Sequence, residues 1–382
     1  MERITVRGWQ KSRLLFRRPE TISLIANNHI SLKGGKRTAM TAPRQMVILV
    51  DGYTDSCTAK TAIGVIRYRA EEVVAVLDRG GAGGTCGQLL GVGGAIPVVA
   101  SLADAPTANS LLLGIAPPGG KIPTHWRPIV LAALRRGMTV VSGLHEFLAD
   151  DPEFAQVAAR HGATLVDLRR SDEHDVSHRH GIRTDCLRIH TIANDCNSGK
   201  MVAAVEIAQG LQKTGVDAAF VATGQTGILV AGSGCAVDRV ISDFVAGAAE
   251  KLVLANQYHE VIVVEGQGSL FHPRYSGVTL SLLHGTMPHG LIACYEMGRK
   301  AVFGMPEVPL PSLRKLIDFY ETAASLMHPC RVIGVAINGI KFSDADVEAE
   351  CARVEDKFQL PACDVIRHGP GKLVEAVRKM KS

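Results

Sequence analysis

The stretch Leu187–Val202 restricts the possible folds of this chain more than any other. An apolar run, Leu187–Ile192, leads into Ala193-Asn194-Asp195-Cys196-Asn197-Ser198-Gly199-Lys200-Met201-Val202, and a helix-like segment, Lys200–Thr214, follows. Strand, tight loop, Gly-Lys and helix in that order make a P-loop, and a P-loop requires a parallel α/β sheet to carry it. The first amides of a helix lack intrahelical partners and point outward, and the dipole makes that end positive. Lys200 adds a full charge there. A phosphate is the natural guest, although a strand-to-helix turn with no ligand has the same outline.

The loop departs from the usual G-x-x-x-x-G-K-[ST]. Ala193 stands where the first glycine belongs, one extra residue precedes Gly199-Lys200, and Met201 replaces the hydroxyl residue after the lysine. That hydroxyl holds Mg²⁺ in nucleotide hydrolases, and a thioether is a poor ligand for a hard cation. The loop is suited to gripping phosphate and poorly suited to Mg-nucleotide hydrolysis, so no metal is expected.

The rest of the chain repeats the α/β pattern. Two units are expected after a basic leader: residues 46–185 and 186–382, with residues 1–45 as the leader. In the first unit, Met46–Val50, Val73–Leu77, Ser110–Ile115, Thr139–Ser142 and Thr164–Asp167 read as strands. Helical stretches at Thr58–Arg67, Arg127–Arg136 and Pro152–His161 separate them, which predicts a Rossmann-like domain. No G-x-G-x-x-G follows its first strand, and the glycine-rich Gly80–Gly94 comes after the second, so support for NAD is weak. In the second unit Ala218–Ala222, Val261–Val264, Leu291–Cys294 and Val332–Ile337 read as strands. Helices are expected at Asp238–Ala255, Leu313–Met327, Ser343–Phe358 and Lys372–Met380. Ala218–Val237 has no charge for twenty residues, but its glycines make it a buried strand and a glycine-rich loop rather than a membrane helix.

Charge and cysteines exclude several classes. Residues 1–39 hold nine Lys and Arg against two Glu, a net +7, which leaves −2 for the remainder of this +5 chain. A near-neutral body gives no basis for nucleic-acid binding. The leader reads as a tail, an upstream start with the true start at Met40 or Met46, or a targeting peptide without a secretory apolar core. Nine scattered cysteines with no C-x-x-C point to reduced thiols in the cytoplasm and against a structural zinc site. His174, His178 and His180 lie in the polar segment between the units, where a linker explains them more simply than a metal.

Ligands of open parallel sheets sit at the carboxyl ends of the strands. There the chain offers Asn194, Asp195, Cys196, Asn197, Ser198, Gly199, Lys200 and Met201, then Gly224-Gln225-Thr226-Gly227 as a second amide-rich loop, then Glu265. Glu265 is a candidate general base or a structural carboxylate held by loop amides, and His272 is a second base candidate or a loop histidine. Cys196, at a helix N-terminus, is a candidate nucleophile or a small loop residue. Arg239, Arg274 and Arg299 are candidates for a substrate carboxylate or ordinary ion pairs.

Taken together, several motifs point to one family. Asp195-Cys196 before Gly199-Lys200-Met201, Ala222-Thr223-Gly224-Gln225-Thr226-Gly227, Val237-Asp238, Ser242-Asp243, Glu265-Gly266-Gln267 and Ser142-Gly143-Leu144-His145-Glu146-Phe147 carry the likeness. They resemble a P-loop family catalogued as a domain of unknown function, one branch of which comprises D-glutamate N-acetyltransferases. The resemblance runs from about Met46 to the C-terminus. Family members usually carry Gly-Thr in place of Ala193-Asn194 and often Thr in place of Val202. The resemblance implies two α/β domains, acetyl-CoA as co-substrate and an acidic amino acid as acceptor. A cytoplasmic homo-oligomer with no nucleic-acid or membrane partner is expected. The loop is also similar to that of dethiobiotin synthetases, which implies an ATP-dependent ligase or kinase as the alternative. A non-catalytic nucleotide- or CoA-binding protein is the third reading.

Overall fold

The structure, a computed structural model, describes residues 44–381. The basic leader therefore lies almost wholly outside the described residues. In chain order the first domain contains β1 (Met46–Leu49), α1 (Lys60–Tyr68), β2 (Val73–Leu77), α2 (Cys86–Leu90), β3 (Val98–Val99), β4 (Ser110–Leu113), α3 (Arg127–Arg135), β5 (Thr139–Ser142), α4 (Pro152–His161) and β6 (Thr164–Asp167). Its six strands are all parallel, in the order β3-β2-β1-β4-β5-β6. This is the doubly wound Rossmann order.

The second domain contains β7 (Leu187–Ala193), α5 (Lys200–Lys213), β8 (Ala218–Val221), α6 (Gln225–Ala231), α7 (Val245–Asn256), β9 (Val261–Val264), α8 (Ser276–Thr286) and β10 (Gly290–Glu296). A hairpin of β11 (Ala301–Val302) and β12 (Met305–Pro309), then α9 (Leu313–Ser325), β13 (Arg331–Asn338), α10 (Asp344–Phe358), β14 (Ala362–Cys363) and α11 (Gly371–Lys381) complete it. Its parallel sheet has the order β14-β13-β10-β7-β9-β8, so the P-loop strand β7 lies between β9 and β10.

Strand alternation places the cores. In β1, Val47 and Leu49 enter one cluster with Leu111, Leu113, Trp126 and Leu134, while Met46 and Ile48 enter another on the opposite face. That second cluster crosses the domain boundary, because Ala62, Val65 and Ile66 of α1 join Ala222, Ile228 and Leu229 around α6. Burying each such aliphatic side chain contributes about 1.5–3 kcal/mol, so the two domains share one fixed apolar contact. The connecting segment is also held. Glu250 of α7, itself buried, accepts from the amides of His178 (3.1 Å) and Arg179 (2.9 Å).

Two expected elements differ. The uncharged run Ala218–Val237 predicts a strand and a loop, but Gln225–Ala231 is helical, capped by Gly224 and ended by Gly232 in the left-handed region. Glycine lowers helix propensity, and packing on α1 overrides it here. The expected helix Asp238–Ala255 begins only at Val245. Val240, which ends the first of two short 3-10 turns (Val237–Arg239 and Ser242–Phe244), is extended. Asp238 and Arg239 are engaged by the first domain instead of continuing a helix.

Candidate functional site

The carboxyl ends of both sheets face one another across the domain boundary. From the second domain come the loop after β7, the β8–α6 turn and Glu265 after β9. From the first come Lys60 and Thr61 opening α1, His145 after β5 and Arg169 after β6. Thr61 and Thr226 meet through their hydroxyls at 3.1 Å, and Lys60 Nζ donates to Asn197 Oδ1 at 3.1 Å. Arg169 Nη2 donates to Gln225 Oε1 at 2.6 Å and pairs with Asp238 at 3.1 Å, while its Nη1 lies 3.0 Å from His145 Nε2. Arg169 Nε, Asn194 Oδ1 and Asp238 Oδ1 are buried without a hydrogen-bond partner. Unpaired buried polar atoms are costly, and three of the four such side-chain atoms among the described residues belong to loops at the facing carboxyl ends of the two sheets, the fourth being Glu72 Oε2.

The P-loop is built for an anion. Gly199 caps α5 in the left-handed region (φ 96°), and Lys200 is buried with Nζ donating to the Asp195 carbonyl at 2.9 Å. Burial lowers the Lys200 pKa, and so does burial followed by the Arg169 charge for Lys60. Lys60 is exposed to water, and its ammonium lies at the boundary between the two domains. Below the loop, Tyr320 donates to the Ala193 carbonyl at 3.0 Å, and Thr191 Oγ accepts from Gly266 N at 2.9 Å.

Glu265 is 5% exposed and its Oε2 accepts from the amides of Thr223 (2.9 Å) and Gly224 (3.1 Å). A Cβ on Gly227 would overlap this carboxylate, so the second loop and Glu265 fit only with glycine there. Desolvation pushes its pKa up to about 7, against the pull of the two amides and Lys200 and with help from Asp238. A carboxyl poised near neutral pH suits proton transfer.

The other predicted residues have structural partners. Arg299 Nη1 donates to Asp195 Oδ2 (2.9 Å) and the Cys196 carbonyl (2.6 Å), and Arg299 also pairs with Glu296. This arginine shapes the P-loop from beneath and is not aimed at a substrate. His272 is fully buried, with Nε2 donating to the Phe303 carbonyl (3.2 Å) and Nδ1 accepting from Arg274 N (3.2 Å). The Phe303 amide donates to Asp195 Oδ2 at 2.7 Å, so His272 and Asp195 together fasten the β11–β12 hairpin to the loop. Arg274 is exposed beside Gly304, and Arg239 is exposed over the Phe147 ring at 5.0 Å. Burial raises the Cys196 thiol pKa despite Lys200, which disfavours a thiolate.

Among the described residues one trio, Asp195, Cys196 and His272, has ligand atoms within 4.8 Å of one another. An ion there would have to displace Arg299 and the Phe303 amide from Asp195 and both partners from His272. The linker histidines form no such group among the described residues, and His174 instead packs edge-on against Phe244. Sequence alone does not mark Arg169 or Lys60. His145 lies in the Ser142–Phe147 motif, but nothing local marks the end of β6 or the start of α1 as part of a site 30 to 140 residues away in sequence. No helix among the described residues is long and apolar enough to cross a membrane.

Comparison with known proteins agrees with this architecture. Residues 174–374 match a domain of unknown function described as the DUF1611 P-loop domain, and residues 79–171 match its Rossmann-like N-terminal partner. A protein from Tritonibacter scottomollicae named D-glutamate N-acetyltransferase is 37% identical over 325 residues, covering 85% of this chain and 95% of its own. A protein of the same name from a Pseudoalteromonas species is 32% identical over 331 residues, covering 86% and 97%. The crystal structure of a DUF1611 protein from Anabaena variabilis superposes with a TM-score of 0.83 at 33% identity, covering 88% of this chain and 99% of that one. The chain belongs to the DUF1611 family, with a Rossmann-like N-terminal domain and a P-loop C-terminal domain.

Proposed function

We propose that this protein transfers the acetyl group of acetyl-CoA to the amino group of an acidic amino acid, D-glutamate first among them. The observation that carries the reading is the meeting, in one cleft, of a P-loop lacking a magnesium-ligating hydroxyl and a buried carboxyl raised to about 7. The names of the two relatives support D-glutamate and acetyl transfer, and the phosphate-gripping loop supports coenzyme A as the carrier.

The chemistry needs three things. Coenzyme A brings a pyrophosphate and a 3′-phosphate, which suit the Gly199-Lys200 turn without hydrolysis. The acceptor ammonium must lose a proton before it attacks, and Glu265 takes it. The nitrogen lone pair then bonds to the thioester carbon. The carbonyl electrons move onto oxygen, and first-turn amides of α6 at Gln225–Gly227 stabilise that charge. Collapse breaks the carbon–sulfur bond, and the thiolate leaves with the second nitrogen proton. Arg169, buried with an unused Nε, is suited to the acceptor carboxylate.

The test is release of CoA thiol from acetyl-CoA on adding D-glutamate, in EDTA, with the N-acetylated product identified by mass. No CoA release with any member of a panel of D- and L-amino acids refutes the reading. Magnesium-dependent ADP formation would establish a ligase or kinase in its place.

A further inference from the structure

Helix α1 packs against the residue that follows the P-loop lysine. Met201 occupies the position after the P-loop lysine, where a Mg²⁺-binding hydroxyl is usual. Its side chain packs against α1, since a Cβ on Gly64 would sit 3.3 Å from Met201 Cε and 2.6 Å from Thr226 Cγ2. Glycine at 64 is what lets α1 come this close. One turn earlier on the same helix, and so on the same face, is Lys60. Its ammonium reaches the P-loop and donates to Asn197 Oδ1 at 3.1 Å, while Lys200 approaches from the other side with Nζ on the Asp195 carbonyl. Asn197 holds φ 53°, an uncommon conformation for a residue other than glycine, and its side chain is turned to Lys60.

The charges around this point do not balance. Asp195 is neutralised by Arg299 and Glu296 by Arg299 and Lys341. Lys60, Lys200 and Arg169 then face Asp238 and Glu265, with Arg169 already paired to Asp238. Two ammonium groups are thus held by neutral oxygens only, an arrangement a polyanion completes.

We propose that Lys60 is a second phosphate-binding lysine, supplied to the P-loop by the N-terminal domain, and that with Met201 and Gly64 it replaces the divalent cation. A pyrophosphate-bearing ligand is then gripped between Lys200 of one domain and Lys60 of the other, without metal. This deepens the acetyl-CoA reading and rests on it only for the identity of the ligand.

The experiment is titration calorimetry of the full chain in EDTA with coenzyme A, ADP and inorganic pyrophosphate, for wild type, Lys60→Ala and Lys60→Arg. A charge-assisted hydrogen bond to phosphate accounts for about a 10- to 100-fold change in affinity. Lys60→Ala is expected to weaken binding by that factor, and Lys60→Arg to recover most of it. Adding Mg²⁺ should not tighten wild-type binding to coenzyme A. Lys60 is exposed, so the ligand-free melting temperature of Lys60→Ala should stay within about 2 °C of wild type. Equal affinity of Lys60→Ala and wild type for every probe overturns the proposal, as does binding that requires Mg²⁺ or the absence of binding by all three. Lys60-dependent binding of ADP or pyrophosphate with none of coenzyme A would uphold the lysine pair and overturn the acetyl-CoA reading alone.

Discussion

Replacing Glu265 by glutamine should make the protein more stable at alkaline pH than the wild type. The carboxyl ordinarily titrates near 4.5 and is pushed up to about 7 by burial. In the unfolded chain it ionises first as pH rises, and that ionisation favours unfolding. Stability is intact below about 4.5, falls as pH rises to about 7, and is level above that. The gap corresponds to about 3 kcal/mol at 1.36 kcal/mol per pH unit. Glutamine keeps an acceptor for the Thr223 and Gly224 amides, and the value of about 7 already contains what those bonds do for the charged form. Glu265→Gln should therefore gain about 3 kcal/mol at pH 8 and only about 1 kcal/mol at pH 5. For domains of this size that is a difference in melting temperature of about 4–8 °C opening between the two pH values. The assay is thermal unfolding of both proteins across this range, followed by tryptophan fluorescence of Trp126. Parallel curves would refute a raised carboxyl. The same variant should lower the CoA-release rate by about 10²- to 10⁴-fold while leaving the KM for acetyl-CoA unchanged, as expected for loss of a general base.

Arg299→Ala removes the ionic partner of Asp195, which is fully buried. Leaving that charge unpaired should cost about 3–5 kcal/mol and lower the melting temperature on the order of 10 °C, whereas a change below about 2 °C would show that Asp195 does not need it. Cys196→Ala should keep more than about a tenth of the CoA-release rate, because burial holds the thiol protonated. Rapid inactivation of the wild type by iodoacetamide at neutral pH, blocked by acetyl-CoA, would contradict this.

Much of the fold was legible locally. Four apolar residues, Val261–Val264, followed by Glu265, announce a buried strand delivering a carboxylate, and the strand has those bounds. Thr139–Ser142 was equally clear, because in a doubly covered parallel sheet both faces are buried and the run itself is the signal, and Thr164–Asp167 has its expected bounds although it is the half-buried edge strand. Where tertiary contacts override local preference, the reading failed. Gln225–Ala231 contains a glycine and has no charge to mark a helix, and it is helical because α1 covers one side and Glu265 fills the space a Cβ would take. Residues 238–244 show helical periodicity, but Asp238 is claimed by Arg169 and Arg239 by Phe147.

The site divides in the same way. Backbone amides at a strand-to-helix turn are a local property, so the Gly199-Lys200 motif and its missing hydroxyl could be read directly from the chain. The raised carboxyl at Glu265, the fastening of Arg299 to Asp195, and the arrival of Lys60 and Arg169 at the P-loop are distance effects. They depend on dielectric surroundings and on charges brought together from far apart in sequence, and only the docking of one sheet's carboxyl edge against the other decides them.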